Sequence, residues 1–188
     1  MAGSLFEFSR PERFVAGTVG RPGERAFFLQ VRDGRRVLSV AVEKQQVALL
    51  AERLAAMLDE LLRDGRSAVI PAVAPAGMED NEPLDTPVEP EFRAVALAIG
   101  WDDDDDLVLV EAQSVVDDEG EDELASLTEG LQEGEAEVLR VGMAPAAARE
   151  FVRRSETLVA AGRPACPFCS LPLDPEGHVC PRANGYRR

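Results

Sequence analysis

The sequence predicts an α+β fold in which a mainly antiparallel sheet is packed by two helices, with a small separate segment at the C-terminus. Three observations lead there. Over residues 5–42 apolar and polar residues tend to alternate in runs of strand length, the period of half-buried strands. At Lys44, and again at Pro145, the period changes to that of an amphipathic helix, near 3.6. The links between these runs are short and rich in turn residues, which favours antiparallel neighbours over long crossovers.

In chain order, Leu5 to Phe8 alternates, and Phe14 to Val19 and Arg25 to Val31 are β-favouring runs joined by Gly20-Arg21-Pro22-Gly23, a turn sequence. Asp33-Gly34 marks a second turn, after which Val37 to Val42 places Leu38, Val40 and Val42 on one face. A meander of three or four antiparallel strands is expected. Val47, Leu50, Ala51, Leu54, Met57, Leu58, Leu61 and Leu62 then recur at three-and-four spacing, predicting a core-facing helix from Lys44 to Arg63. Gly65 stops it, because glycine enters the left-handed conformation without steric penalty.

Residues from about 72 to 91 hold four of five prolines, Pro71, Pro75, Pro83, Pro87 and Pro90, and six acidic residues from Glu79 onward. Proline and mutually repelling carboxylates oppose regular structure, so a mobile connection packed at its ends is expected. Phe92 to Ile99 and Leu107 to Val116 read as two further strands, joined around Trp101 and Asp102 to Asp106. An acidic insertion spans about 117–135. Glu137 to Val141 reads as a last strand, and a helix follows from Pro145, near its first turn, to about Ala160, with Gly162 beyond its end. The expected division is a domain over residues 1–161 and a tail over 162–188.

The tail carries the chemistry. All three cysteines, Cys166, Cys169 and Cys180, lie within fifteen residues that also contain the sole histidine, His178. An odd number of cysteines in a chain without an evident export signal speaks against a disulfide framework. Thiolate and imidazole are the ligands that zinc prefers, and four of them complete a tetrahedral site. The two-residue gap in Cys166-Pro167-Phe168-Cys169 suits a tight knuckle, and Asp174-Pro175-Glu176-Gly177 can return His178 and Cys180 to the same ion. The alternatives are three buried free thiols, a redox Cys-x-x-Cys, and a catalytic metal. The redox reading lacks a thioredoxin-like strand and helix before Cys166, and four protein ligands leave a catalytic zinc no open position. The expectation is structural Zn2+ and a small C-terminal zinc ribbon.

Other motifs carry less. Gly17-Thr18-Val19-Gly20 lacks the Gly-Lys-Ser/Thr ending of a phosphate loop and reads as a hairpin. The aspartates of 102–106 lack the alternating spacing and glycine bend of a calcium loop and read as a hydrated hairpin tip. Glu43 and Lys44 have no supporting partner for acid–base work and read as a surface junction. With the histidine assigned to metal, no nucleophile with a base and an orienting group can be assembled.

Twenty basic against 35 acidic residues leave a formal charge of −15, which argues against a polyanion-binding surface over most of the chain and disfavours nucleic acid as the main partner. No run of residues is long and apolar enough to span a membrane, so a soluble cytoplasmic protein is expected. Residues 143–188 nonetheless carry seven arginines against four acids. Arg182, Arg187 and Arg188 with Tyr186 could touch phosphates and stack on a base, or dock on an acidic protein surface.

Arg13 to Gly20, Glu43 to Leu50, and the ending Cys166 to Arg188 with Cys180-Pro181-Arg182-Ala183-Asn184-Gly185-Tyr186 resemble an actinobacterial family catalogued as domain of unknown function 3090. The likeness implies a small cytoplasmic protein and brings no established activity. It also implies gene neighbours encoding a kinase-like protein and a phosphoglycerate-mutase-like phosphatase. The functional expectation is a non-enzymatic adaptor or regulatory module that contacts a protein partner. The alternatives are a metal-associated enzyme of phosphoester or thiol metabolism, using carboxylates such as Glu7 or Glu111, and nucleic-acid binding through the basic ribbon.

Overall fold

The computed structural model describes residues 3–21, 23–66, 69–114 and 136–161, together with residues 166, 168, 169, 180 and 182. In chain order the elements are β1 (Leu5–Ser9), β2 (Arg13–Val19), β3 (Ala26–Asp33), β4 (Arg36–Val42), α1 (Lys44–Arg63), β5 (Pro90–Arg93), β6 (Ala96–Asp102), β7 (Leu107–Gln113), β8 (Val138–Met143) and α2 (Pro145–Ala160). The chain is α+β. Its strands divide between two four-stranded sheets, ordered β1-β8-β7-β6 and β2-β3-β4-β5. Each sheet is mixed, because β1 runs parallel to β8 and β5 parallel to β4, while the other four neighbouring pairs are antiparallel.

Both helices and both sheets share one core. The stripe predicted on α1 is buried at Val47, Leu50, Ala51, Leu54 and Leu58, against Leu29, Val40, Val110, Leu139 and Phe151 among others. Phe14 of β2 and Phe151 of α2 stack with ring centroids 5.1 Å apart and nearly parallel planes. Pro145 opens α2, where its missing N–H costs nothing, and Gly65 follows the end of α1 with φ +91°.

Of the three or four antiparallel strands expected, three form the meander, β2-β3-β4. β1 leaves it and lies parallel to β8, Leu5 opposite Val138 through Ser9 opposite Gly142, so its partner lies some 130 residues downstream. The single strand expected from Phe92 to Ile99 is two strands in two sheets. The Ala94 N–H donates to the Ala41 carbonyl (2.9 Å), whereas the next amide, Val95, donates to the Gln113 carbonyl (2.8 Å). Gln46, in the first turn of α1, donates its side-chain amide to the Ala94 and Val95 carbonyls (both 3.2 Å) and accepts from the Glu43 N–H (2.7 Å). It fastens the crossover to the helix start, a role the sequence did not reveal for the Glu43-Lys44 junction.

The proline-rich connection is also corrected, since it packs along its middle as well as its ends. Ile70 and Leu84 are buried, and Leu84 joins Val15 and Phe28 in a small second cluster on the sheet face opposite the helices. This explains why β2 and β3 are buried at consecutive residues, on both faces, rather than alternately. Gln30, fully buried in β3, exchanges two hydrogen bonds with the Asp85 backbone (3.0 and 2.8 Å).

Arginines supply the charge that the connection lacks by itself. Arg13 grips Asp80 with two nitrogens (2.6 and 3.0 Å) and reaches Asp85 (3.2 Å). Arg154 of α2 donates to the Asp80 carboxylate (2.8 Å), to the Asp80 and Glu82 carbonyls, and to the Ala16 carbonyl of β2 (2.9 Å). Glu150 accepts from the Asp80 N–H (2.8 Å) and pairs with Arg153. The hydrogen bond from Arg13, stronger than the opposing cost of burial, holds the Asp80 carboxyl below the ordinary carboxylate range. Burial pushes Glu150 up, but Arg153 and the Asp80 amide together outweigh it and bring it below its ordinary value. The acidic insertion at 117–135 lies outside the described residues.

Candidate metal centre

The path to the cysteines starts at the end of α2. The Ala161 N–H returns to the Thr157 carbonyl (3.0 Å), and Arg25, beside β3, donates to the Ala161 carbonyl (3.0 Å), tying the helix end to the sheet. Beyond it the Cys166, Cys169 and Cys180 sulfurs all lie within 4.8 Å of one another. Cys166 and Cys180 are buried, Cys169 is half-buried, and none of the three is in a disulfide. Arg182 donates to the Phe168 carbonyl (3.2 Å), joining the second arm of the segment to the Cys166–Cys169 knuckle.

The sulfur spacing is chemically informative. A disulfide needs sulfurs about 2.05 Å apart. Two thiolates on one tetrahedral zinc, each about 2.3 Å from the ion, stand about 3.8 Å apart. Cys166 and Cys180 are separated by 3.8 Å. Burial pushes the Cys166 thiol up, yet the backbone of Cys169 and Phe168 and the neighbouring sulfurs bring it below its ordinary value, favouring the thiolate that a metal requires. Three close cysteines of this kind can hold a metal ion.

The fourth expected ligand, His178, lies outside the described residues, as do Tyr186, Arg187 and Arg188. The remaining sequence candidates serve local structure. Glu111 of β7 and Glu7 of β1 flank Arg140 of β8, forming an ion-pair row across three strands. In the β6–β7 turn, Asp102 accepts from the amides of Asp104 (2.9 Å) and Asp105 (3.2 Å), and Asp103 accepts from the Trp101 indole (3.0 Å) and pairs with Arg66. Gly17 is a residue of β2, and Gly20 (φ +105°) opens the hairpin to β3. Sequence reasoning missed the Arg13–Asp80–Arg154 cluster, because its members lie 67 and 74 residues apart. Opposite charges there largely satisfy one another, so it acts as a clamp on the connection.

No helix among the described residues is long and apolar enough to cross a membrane. A family model described as "Protein of unknown function (DUF3090)" matches residues 6–180. No curated protein and no solved structure matches the chain.

Proposed function

The chain belongs to the DUF3090 family of proteins of unknown function, and from that premise we propose a zinc-binding, non-enzymatic adaptor whose C-terminal residues 162–188 fold as a zinc ribbon. Cys166, Cys169, His178 and Cys180 are its ligands, and the ion is structural. The observation that carries this reading is the grouping of three cysteine sulfurs within 4.8 Å of one another, with Cys166 and Cys180 at the 3.8 Å of a tetrahedral edge. His178, two residues before Cys180 in the sequence, is the fourth ligand on this reading. Four protein ligands close the coordination sphere, so the metal organises a surface and leaves no position for a substrate. An odd number of cysteines, none in a disulfide, suits a reducing compartment, which supports a cytoplasmic location.

The partner on this reading is a protein, met by the ribbon and its arginines. Zinc analysis of protein purified from zinc-replete cells tests the site: one ion per chain is expected, lost in Cys169→Ser. Metal-free protein with three freely titrating thiols would overturn it. Capture with the wild-type chain and with Cys169→Ser as baits tests the adaptor role, which requires a partner retained only by the wild type. Turnover of phosphoester or thiol substrates by the zinc-loaded protein would replace it with an enzyme, and salt-steep oligonucleotide binding with a nucleic-acid module.

A further inference from the structure

The sheet β1-β8-β7-β6 ends on β6, and among the described residues no strand pairs with its outer edge. Such an edge presents unpaired N–H and C=O groups, which folded proteins usually protect with charge, proline, a bulge or a covering element. The other edges carry such devices. β1 holds Glu7, β5 is a four-residue Pro-Glu-Phe-Arg strand, and Arg154 takes the Ala16 carbonyl of β2. From Ala96 to Trp101 the strand Ala-Leu-Ala-Ile-Gly-Trp contains no charge, no proline and no bulge in its pairing with β7, and among the described residues only its far end is overlaid by a charged group, Arg66 over the Trp101 ring.

A second feature lies alongside. An apolar groove of about 270 Å³ runs between α1 and β6, lined chiefly by Leu49, Leu50, Val95, Leu97 and Ile99, with Arg53 beside them. Leu49 is 51% and Val95 55% exposed, a cost in apolar hydration that a covering surface removes. Charge is ordered along the same line. Arg53 stands near the start of β6, beside an Arg93 that is paired with Glu43, and Asp102 to Asp106 follow at its end, where Arg66 pairs with one of the five, Asp103.

We infer that β6 is a self-pairing edge, and that two copies of this chain join β6 to β6 in antiparallel orientation. A two-fold axis through that pair sets the acidic end of each strand beside the basic start of the other, which a parallel arrangement would not do. It also brings the two α1 helices together on one sheet face, so that Leu49 and Val95 of each copy meet apolar surface of the other. The chain's net negative charge opposes association only weakly at physiological salt, because repulsion between distant exposed groups is screened beyond about 8 Å. The inference is independent of the metal reading, since no cysteine contributes to this face.

Sedimentation equilibrium on the full zinc-loaded chain tests it, alongside Leu49→Glu and Val95→Glu, each of which sets a carboxylate toward the partner's acidic end and whose exposed positions leave folding intact by circular dichroism. A wild-type dimer is expected, with dissociation constants raised about tenfold or more by each substitution. Hydrogen exchange supplies a second readout, with β6 amides slowing as concentration rises in the wild type only. A monomeric wild type, a dimer indifferent to both substitutions, or occupation of this edge by another protein's strand would each overturn the proposal.

Discussion

Leu84 occupies the space that a side chain at Gly17 would fill: a Cβ built on Gly17 overlaps three carbons of the Leu84 side chain. The contact joins the middle of the proline-rich connection to the centre of β2. It shows why a glycine stands in a strand whose other positions favour β-branched and aromatic residues.

Gly17→Val should therefore displace Leu84 and loosen the connection while leaving the helix-side core in place. The expected cost is about 1–3 kcal/mol, the usual range for overpacking. Urea unfolding would register it as a lower midpoint. Faster hydrogen exchange confined to residues 80–86 and the facing strands would locate it, and an unchanged midpoint would show that the contact does not constrain the fold.

Asp80→Ala removes the carboxylate shared by Arg13 and Arg154, both about nine-tenths buried. Arg13 keeps Asp85 and Arg154 keeps its carbonyl partners, so the expected cost is at the lower end of the roughly 3–5 kcal/mol of a broken buried ion pair. Arg153→Ala, at a more exposed site, should cost less. Equal losses in the two variants would argue against the clamp.

Acid should release the same connection. Asp80 and Glu150 both have carboxyls lowered in the folded state. Their contribution is thus fully present above the ordinary carboxylate values of about 4, and is lost as pH falls through the lower folded values. Stability should decline on acidification below about pH 4, and Asp80→Asn should flatten that decline. An identical acid limb in wild type and variant would refute the assignment.

Chelation should unfold the C-terminal segment locally and spare the main melting transition. Residues 163–188 hold few large apolar side chains, chiefly Phe168, Leu171, Leu173, Val179 and Tyr186, too few to offset their ordering entropy. Zinc sites in short peptides supply about 10–16 kcal/mol at neutral pH, and affinity falls in acid as thiolates protonate. Proteolysis of chelated protein should trim the segment and leave the body. A shift of the main transition by several degrees would mean instead that the metal supports the whole fold.

Much of the local structure was legible because it follows from local rules. The apolar stripe and glycine stop of α1, Pro145 at the start of α2, and the Gly20 and Asp33-Gly34 turns each depend on residues within one or two turns of chain. The cysteine cluster was legible for a related reason, since its three sulfurs come from one fifteen-residue stretch. The split at Ala94–Val95 was not, because two adjacent amides with similar surroundings donate to different sheets. The burial of Leu84 was equally hidden, as its partners Val15 and Phe28 lie more than fifty residues upstream.

The sequence by itself determined the α+β class, the two helices and the grouping of the three cysteines, because periodicity and short-range spacing act before the chain is folded. Tertiary structure alone decided that β1 pairs with β8, that the strands form two sheets, and that the acidic connection becomes a fixed layer. The physical reason is charge and surface compensation at a distance. Six acidic residues in a proline-rich run repel one another when considered alone, and only the folded chain brings Arg13, Arg32 and Arg154 against them.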